Sequence, residues 1–253
     1  MNKKQRKISE VKKERYELVI KSNILIRNIR YELNLTEQKI LIYIISKICA
    51  QDKDFRTVNF KVAEYCDVAG IRKGGRAYEL VKDSIKSIRD RSWWLEDDEQ
   101  IVLFSWIDTA RIEKGDGEIE IKLSESLRPY LLEISKNFTK YELINVLMLH
   151  TKYAVRCYEL FKSYLYLHHW EVSLETFRDL LGVEDKYRDF TEFKRNIIDK
   201  SIKDISSNTD IKVTYKTVKK GRNIDKLIFD IREQDYQTIL DILDKENRLM
   251  NNF

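Results

Sequence analysis

The apolar residues of this chain run through one order of elements twice, and that duplication limits the fold more than any single motif does. In the first pass, Asn34 or Thr36 offers an N-cap to a strongly apolar helix reaching Ile48. Val58 to Val68 reads as a short helix. After a loop holding Gly70, Gly74 and Gly75, Arg76 to Arg89 reads as a longer helix with Ala77, Val81, Ser84, Ile85 and Ile88 as its apolar stripe. Trp93 to Trp106 and Ile119 to Leu123 then alternate as strands do, and Lys114 to Gly117 supplies a turn.

The second pass repeats this. Thr139 with Glu142 three residues on is a capping-box signature for a long helix to about Leu167. Val172 to Leu181 reads as a short helix closed by Gly182, and Asp189 to Ser206 as a longer one. Two strands follow, Lys212 to Val218 and Ile224 to Ile231, around a Lys219-Lys220-Gly221-Arg222 turn. Two short matches accompany the order: Val58-Asn59-Phe60 with Val172-Ser173-Leu174, and Ser84-Ile85-Lys86-Ser87-Ile88 with Ser201-Ile202-Lys203-Asp204-Ile205. Outside the repeats, Val19 to Leu33 suits a strand entering a short helix. Leu127 to Ile134 suits a helix with Pro129 in its first turn, and Tyr236 to Leu243 a last amphipathic helix.

Long helix, short helix, longer helix and hairpin is the order of a winged helix-turn-helix. The expected fold class is therefore α+β and helix-rich, with two tandem winged helix-turn-helix domains related by internal duplication. The expected division is a basic N-terminal arm at 1–15, a first winged helix at 16–135, a second at 136–232, and a C-terminal helix and tail at 233–253.

Composition narrows the function classes. With 43% hydrophobic and 11% aromatic residues the chain can fill real cores. Its longest apolar run, Ile40 to Ile45, falls far short of the ~20 residues that span a bilayer, and the basic start leads into no signal-peptide core. Three cysteines (Cys49, Cys66, Cys157) without close spacing suggest neither a disulfide framework nor a zinc site, and a soluble cytoplasmic protein is expected. None of the seven glycines falls in a phosphate-binding or dinucleotide-binding pattern.

The net charge of +5 is unevenly placed. Met1 to Arg15 holds seven basic and two acidic residues, and Lys186 to Arg222 eleven basic and five acidic, which leaves the remainder acidic. That placement suits a polyanion binder, or equally a solvated tail and an ordinary charged helix; composition alone does not separate the two.

In a helix-turn-helix the second helix lies in the major groove. On the helix expected at Asp189 to Ser206, Phe190, Phe193, Ile197, Ile198, Ile202 and Ile205 form the packing stripe. Arg188, Arg195, Asn196 and Lys203 lie opposite it with Glu192 and Asp199, and Lys194 sits close enough to snorkel out to a phosphate. Arg and Asn suit guanine and adenine edges respectively. Lys219, Lys220 and Arg222 put three cations at a wing tip, where contacts to the backbone position without reading. In the first repeat Arg72, Lys73 and Arg76 surround the helix start, but Glu96, Asp97, Asp98 and Glu99 make the hairpin acidic. The C-terminal unit is therefore expected to read DNA and the N-terminal one to support it or to pair with another protomer.

Catalytic readings find no residues to carry them. His168 and His169 are adjacent and diverge on a helix, His150 is remote, and no His-hydrophobic-His triplet exists for a nicking enzyme. Cys157 reads as a small core residue, and Trp93, Trp94, Trp106 and Trp170 as core filling. No catalytic residue, metal site or cofactor is expected.

From Val19 to Ile231 the chain resembles the theta-type plasmid replication initiators with two tandem winged helices. The markers are Val19-Ile20-Lys21-Ser22-Asn23-Ile24-Leu25-Ile26 and Leu35-Thr36-Glu37-Gln38-Lys39-Ile40-Leu41. Tyr153 with Arg156, Tyr158 and Leu160, the stretch Phe190 to Ser201 with Phe193-Lys194-Arg195, and Gly221-Arg222 ahead of Ile228 and Phe229 complete them. The resemblance implies binding of directly repeated double-stranded origin sites (iterons) as a monomer and opening of an adjacent AT-rich stretch. It also implies recruitment of the host initiator and replicative helicase. As a dimer, such a protein binds an inverted repeat and represses its own promoter, a form of copy control. Base reading would fall on Arg188, Lys194, Arg195, Asn196 and Lys203, wing contacts on Lys219, Lys220 and Arg222, and backbone contacts and dimerisation on the N-terminal unit. A tandem winged-helix repressor without a replication role shares the same DNA face and is the alternative reading.

Overall fold

The computed structural model describes residues 3–30, 32–48, 57–96, 100–113, 115, 117–132, 134 and 136–234. Cys49, Asp97, Asp98, Glu99, Lys114 and the helix expected at Tyr236 to Leu243 lie outside them. The chain forms two compact units, one made of the residues through Leu25 with Thr36–Leu147, the other of Ile26–Leu35 with the chain from Met148 on. The boundary expected after residue 135 therefore falls after Leu147, and a short earlier segment joins the second unit.

In the first unit, α1 (Lys3–Arg15) precedes β1 (Leu18–Ser22), which runs directly into α2 (Asn23–Asn28), a helix that passes into the second unit at Ile26. The end of α1 is not a free arm: Arg15 is buried, and its Nε donates to the Val68 carbonyl at 2.7 Å. The apolar helix α3 (Leu35–Ser46) buries Ile40 through Ile45 on all sides and is the centre of the unit. Tyr43 on it meets the rings of Phe60 and Tyr65 edge-on.

The helix expected from Val58 begins only at Val62. Val58–Lys61 is a strand, β2, whose alternate residues Val58 and Phe60 are buried, and α4 (Val62–Ala69) follows it. A four-residue strand entering a helix without a turn leaves one continuous apolar pattern, so neither element's period stands out. Gly70 ends α4 in the left-handed region at φ 68°, its N–H bonded to the Cys66 carbonyl. In α5 (Gly75–Arg89) the buried residues are the expected stripe, Ala77, Val81, Ser84, Ile85 and Ile88.

Four strands follow. β3 (Trp93–Glu96) and β4 (Ile101–Phe104) pair only with each other, while β5 (Ile107–Ile112) and β6 (Glu118–Leu123) join β2 in a sheet of order β2-β6-β5. The wing of the first unit is thus β5–β6, and the acidic hairpin expected to play that part is an insertion. Trp93, Phe104 and Trp106 form an aromatic cluster beneath the insertion, but Trp94 is 62% exposed and fills no core.

After α6 (Arg128–Leu131), which is shorter than expected, comes the largest departure. Thr139 and Glu142 do not cap a helix: Phe138–Glu142 is a strand, β7, antiparallel to β1, leading into the short α7 (Leu143–Leu147). The Thr139 hydroxyl donates to Asn23 Oδ1 at 2.6 Å inside the unit. The spacing met the capping-box pattern, while the alternating burial of Thr139 and Tyr141 obeys the period of a strand.

In the second unit, Thr151 caps α8 (Lys152–Tyr164), accepting from the Ala154 N–H. Arg156 on α8 is buried and donates to the carbonyls of Leu180 (3.1 Å) and Ile29 (2.7 Å), which ties the Ile26–Leu35 segment into this unit. β8 (His169–Ser173) precedes α9 (Leu174–Leu180), so Val172 belongs to a strand. α10 (Phe190–Phe193), a π-helical turn (Lys194–Ile198) and α11 (Asp199–Asn208) run on as one helix. β9 (Ile211–Lys220) and β10 (Asn223–Glu233) close a sheet of order β8-β10-β9.

The two sheets have one topology: the strand before the helix pair lies beside the last strand of the hairpin. Duplication is therefore visible in strand order. Residue for residue, the Ser84–Ile88 match with Ser201–Ile205 holds, since Ser84, Ile88, Ser201 and Ile205 are all buried. The other match fails, because Val58-Asn59-Phe60 is strand while Val172-Ser173-Leu174 straddles the start of a helix.

Candidate nucleic-acid interface

The second unit presents a helix-turn-helix whose second helix is held from beneath by aromatic packing. Phe193 is fully buried, 6.2 Å from the Phe177 ring centroid, and Phe177 in turn meets Trp170 and Phe229. Asp189 caps the helix by accepting from the Glu192 N–H at 3.0 Å. The turn is fixed from the preceding helix: the Arg178 guanidinium donates to the carbonyls of Lys186 (3.1 Å) and Tyr187 (2.7 Å) and lies 4.3 Å over the Phe193 ring. Burial lowers the Arg178 pKa, though a guanidinium stays charged. Tyr187 takes a positive φ of 54° inside this turn. Arg178 therefore sets where Arg188 and the helix start lie, a role that only the assembled turn reveals.

Along the helix, Arg188, Lys194, Arg195 and Lys203 are exposed and Asn196 is half-buried, as the 100° projection required. Lys200 is exposed as well and was not singled out from the sequence. One expected reader is already engaged. Lys194 Nζ lies 2.6 Å from Asp199 Oδ2, and Asp199 Oδ1 accepts from the Tyr215 hydroxyl at 2.8 Å, joining the π-turn to β9. Burial, then the Asp199 contact, raises the Tyr215 pKa, so the phenol stays a donor.

The hairpin is a long ribbon. Beyond the segment paired to β8 at Lys226–Asp230, β9 and β10 continue to a turn at Gly221, φ 66°, flanked by exposed Lys219, Lys220 and Arg222. Lys212 and Lys216 add two more exposed cations on β9. Among the described residues no carboxylate pairs with Arg188, Arg195, Lys200, Lys203, Lys212, Lys216, Lys219, Lys220 or Arg222.

The first unit differs at the same places. Lys73 pairs with Asp67, Lys82 with Glu79 and Lys86 with Asp90, so much of the basic charge of α5 and its turn is neutralised within the unit. On its wing Arg111 pairs with Glu120. Arg72 and Arg76 remain exposed at the helix start, where α5 has no acidic residue in its first turn. Free cations release counterions when they meet phosphates, whereas a paired lysine must first leave its carboxylate.

The sequence matches the description "Initiator Replication protein, WH1" over residues 18–162 and "Initiator Rep protein, WH2" over residues 173–231. The chain belongs to this family of replication initiators. A "Replication initiation protein" of Escherichia coli is 26% identical over 226 residues, covering 84% of this chain and 70% of the relative. The "PI protein" of Escherichia coli is 29% identical over 133 residues, 46% of this chain and 44% of the relative. Among solved structures, Pi initiator protein in complex with iteron DNA superposes with a TM-score of 0.72 at 21% identity, covering 88% of this chain and 99% of that one. Domains 2 and 3 of RctB superpose at 0.53 with 15% identity, over 79% and 82% of the two chains. At these identities the structures speak for the fold, and both carry it across the two units.

Nothing in this initiator's described residues gathers three or more His, Cys, Asp or Glu side chains that could hold a metal ion, and no described helix is long and apolar enough to cross a membrane. Cys157 is buried and its thiol is pushed up to about 12, chiefly by desolvation, so at neutral pH it is protonated and inert. His150 bonds through Nδ1 and its backbone N–H to Asp204, a contact that fastens the loop before α8 to α11.

Proposed function

We propose that the chain initiates plasmid replication without chemistry of its own, by gripping directly repeated double-stranded sites in an origin. The observation that carries this is the set of uncompensated cations on the helix Phe190–Asn208 and on the β9–β10 ribbon, set against the neutralised counterparts of the first unit. Arg195 and Asn196, in the wide π-turn, are the residues assigned to base edges, with Arg188, Lys200 and Lys203 beside them. Lys219, Lys220 and Arg222 hold the backbone. Arg72 and Arg76 of the first unit add backbone contacts, and Lys73 joins them by exchanging Asp67 for a phosphate. The relative solved with iteron DNA has the same two-unit fold, which supports the same class of site here.

The inserted β3–β4 hairpin is assigned to a homodimer. Trp94, Ile101 and Leu103 stand 62%, 61% and 50% exposed on its outer face, an apolar patch on a two-stranded sheet that has little stability by itself. Opening of an AT-rich stretch, recruitment of host initiator and helicase, and repression of the protein's own promoter belong to the same proposal.

Selection from a random-sequence duplex pool tests the DNA face. One motif is expected to emerge. Arg195→Ala should cost about 1–3 kcal/mol on it and relax one base position, while Lys220→Ala should weaken all duplexes alike. If neither variant changes binding, the face is misplaced. A plasmid carrying only this gene and its flanking repeats should replicate in a host that supplies helicase; a protein that merely represses transcription would not sustain it.

A further inference from the structure

We propose that the DNA contact continues past the wing tip onto the outer face of the β8-β10-β9 sheet, where Lys212, Lys216 and Lys220 form a track for the phosphates of flanking duplex. The inference rests on the function proposed above and extends it to residues on the far side of the sheet from the recognition helix. Ile211 and Val213 turn into the core, so Lys212, Thr214, Lys216 and Lys220 share the opposite, solvent face of β9. Lysines four residues apart on a strand recur about every 13 Å. The three span roughly 27 Å, the length of about eight base pairs at 3.4 Å each.

The other charges of this face cancel among themselves. Lys226 Nζ is 2.7 Å from Glu171 Oε1, and Arg232 is bonded to both carboxylate oxygens of Asp230. The three lysines are left over: among the described residues none has a carboxylate at salt-bridge distance. Lys212 stands directly across from Arg232 in the ladder, and since Asp230 already holds Arg232, Lys212 is the uncompensated member of that pair. Lys212, Lys216 and Arg232 line a cavity of about 560 Å³ together with Thr214, Ile228 and Asp230. Lysines on an edge strand also discourage strand pairing, but that role sets no requirement on the length of a bound duplex. The track does, and its last lysine is already part of the wing tip, so the two surfaces are continuous.

The test compares the full chain with Lys212→Gln/Lys216→Gln on two duplexes, the selected site alone and the same site extended by about ten base pairs on each side. Anisotropy titrations would run from about 0.05 to 0.2 M salt. On the extended duplex the salt slope of the variant should be shallower by about 1.8, which makes the wild-type advantage grow about twelvefold between the two salt limits. On the short duplex the two proteins should bind alike, and an unchanged thermal melt would show the variant folded. Lys219→Gln/Arg222→Gln, at the tip, should lose affinity on both duplexes. Equal losses on both duplexes for the Lys212/Lys216 variant, or none on either, would overturn the track. So would intact binding of the long duplex with lost binding of a poly-glutamate peptide, which would assign the face to an acidic protein. Wild-type protein that binds no duplex would instead remove the proposed function itself, and the track with it.

Discussion

Asp199→Asn is the substitution that most directly probes how the DNA face is held in reserve. The carboxylate sits between Lys194 Nζ (2.6 Å) and the Tyr215 hydroxyl (2.8 Å), with the two charged side chains 46% and 42% exposed. At that exposure the ion pair is worth roughly 0–1 kcal/mol of stability, and the amide oxygen of Asn still accepts from Tyr215, so the fold should be kept. What changes is Lys194. Without its carboxylate the ammonium becomes one more cation available to phosphate, and a duplex of arbitrary sequence should bind with a salt slope steeper by about 0.9. Between 0.2 and 0.05 M salt that is a gain of about 3.5-fold in non-specific affinity over wild type, and the preference for a specific site narrows correspondingly. Anisotropy titrations against a random-sequence duplex measure it. The same substitution in a Lys194→Ala background should do nothing, because the lysine it releases is gone. A slope that does not change, or a loss of binding that persists in the Lys194→Ala background, would show that Asp199 is not holding Lys194 back and would refute the reasoning.

Tyr65→Phe should leave stability unchanged or raise it slightly in denaturant unfolding, since the Tyr65 hydroxyl is buried with no hydrogen-bond partner. Deleting Asn196 should turn the π-turn of the recognition helix into regular α-helix and keep a cooperative melt, while sequence preference in the selected-site assay disappears. Trp94→Lys with Leu103→Lys should shift the protein toward monomer by analytical ultracentrifugation without weakening binding to a single site; an unchanged sedimentation profile of a dimer would place the interface elsewhere.

The sequence was most legible where a helix has one wet face. The stripe on α5 is legible because its buried residues Ala77, Val81, Ser84, Ile85 and Ile88 recur at helical spacing and the charged residues between them face water. It was least legible at the joins. Val58–Lys61, His169–Ser173 and Phe138–Glu142 are strands of four or five residues that enter helices without a turn, and each was absorbed into the neighbouring helix. Their pairing partners, β6, β10 and β1, are 50 or more positions away in the chain, and no local pattern announces such a partner. The site was half legible for a related reason. Exposed cations on a helix and at a turn can be counted in advance, but whether a carboxylate already occupies one of them depends on packing. Lys194, placed by its spacing within reach of a phosphate, is paired with Asp199, while Lys200, Lys212 and Lys216 have no carboxylate partner among the described residues.

The π-turn distinguishes the helix of the second unit from α5. With Ser84 matched to Ser201, the first buried residue of the helix lies seven positions earlier in α5 (Ala77) and eight positions earlier in the second unit (Phe193). One added residue in a regular helix would swing everything beyond it by about 100° and carry Ser201 and Ile205 out of the core. The wide turn absorbs that residue, so Phe193 before it, Ile197 and Ile198 within it, and Ser201 and Ile205 after it all stay buried. On its outward side the same turn carries exposed Lys194 and Arg195 and half-buried Asn196. The same turn brings Asp199 to Lys194 and to Tyr215 of the wing strand, so recognition helix and wing share one polar bridge. In α5, without the extra residue, Lys82 and Lys86 are neutralised by partners three and four positions away on the same helix or at its end. The helix with the regular turn has its lysines Lys82 and Lys86 paired, while the one with the π-turn leaves Arg195, Lys200 and Lys203 without a carboxylate partner among the described residues.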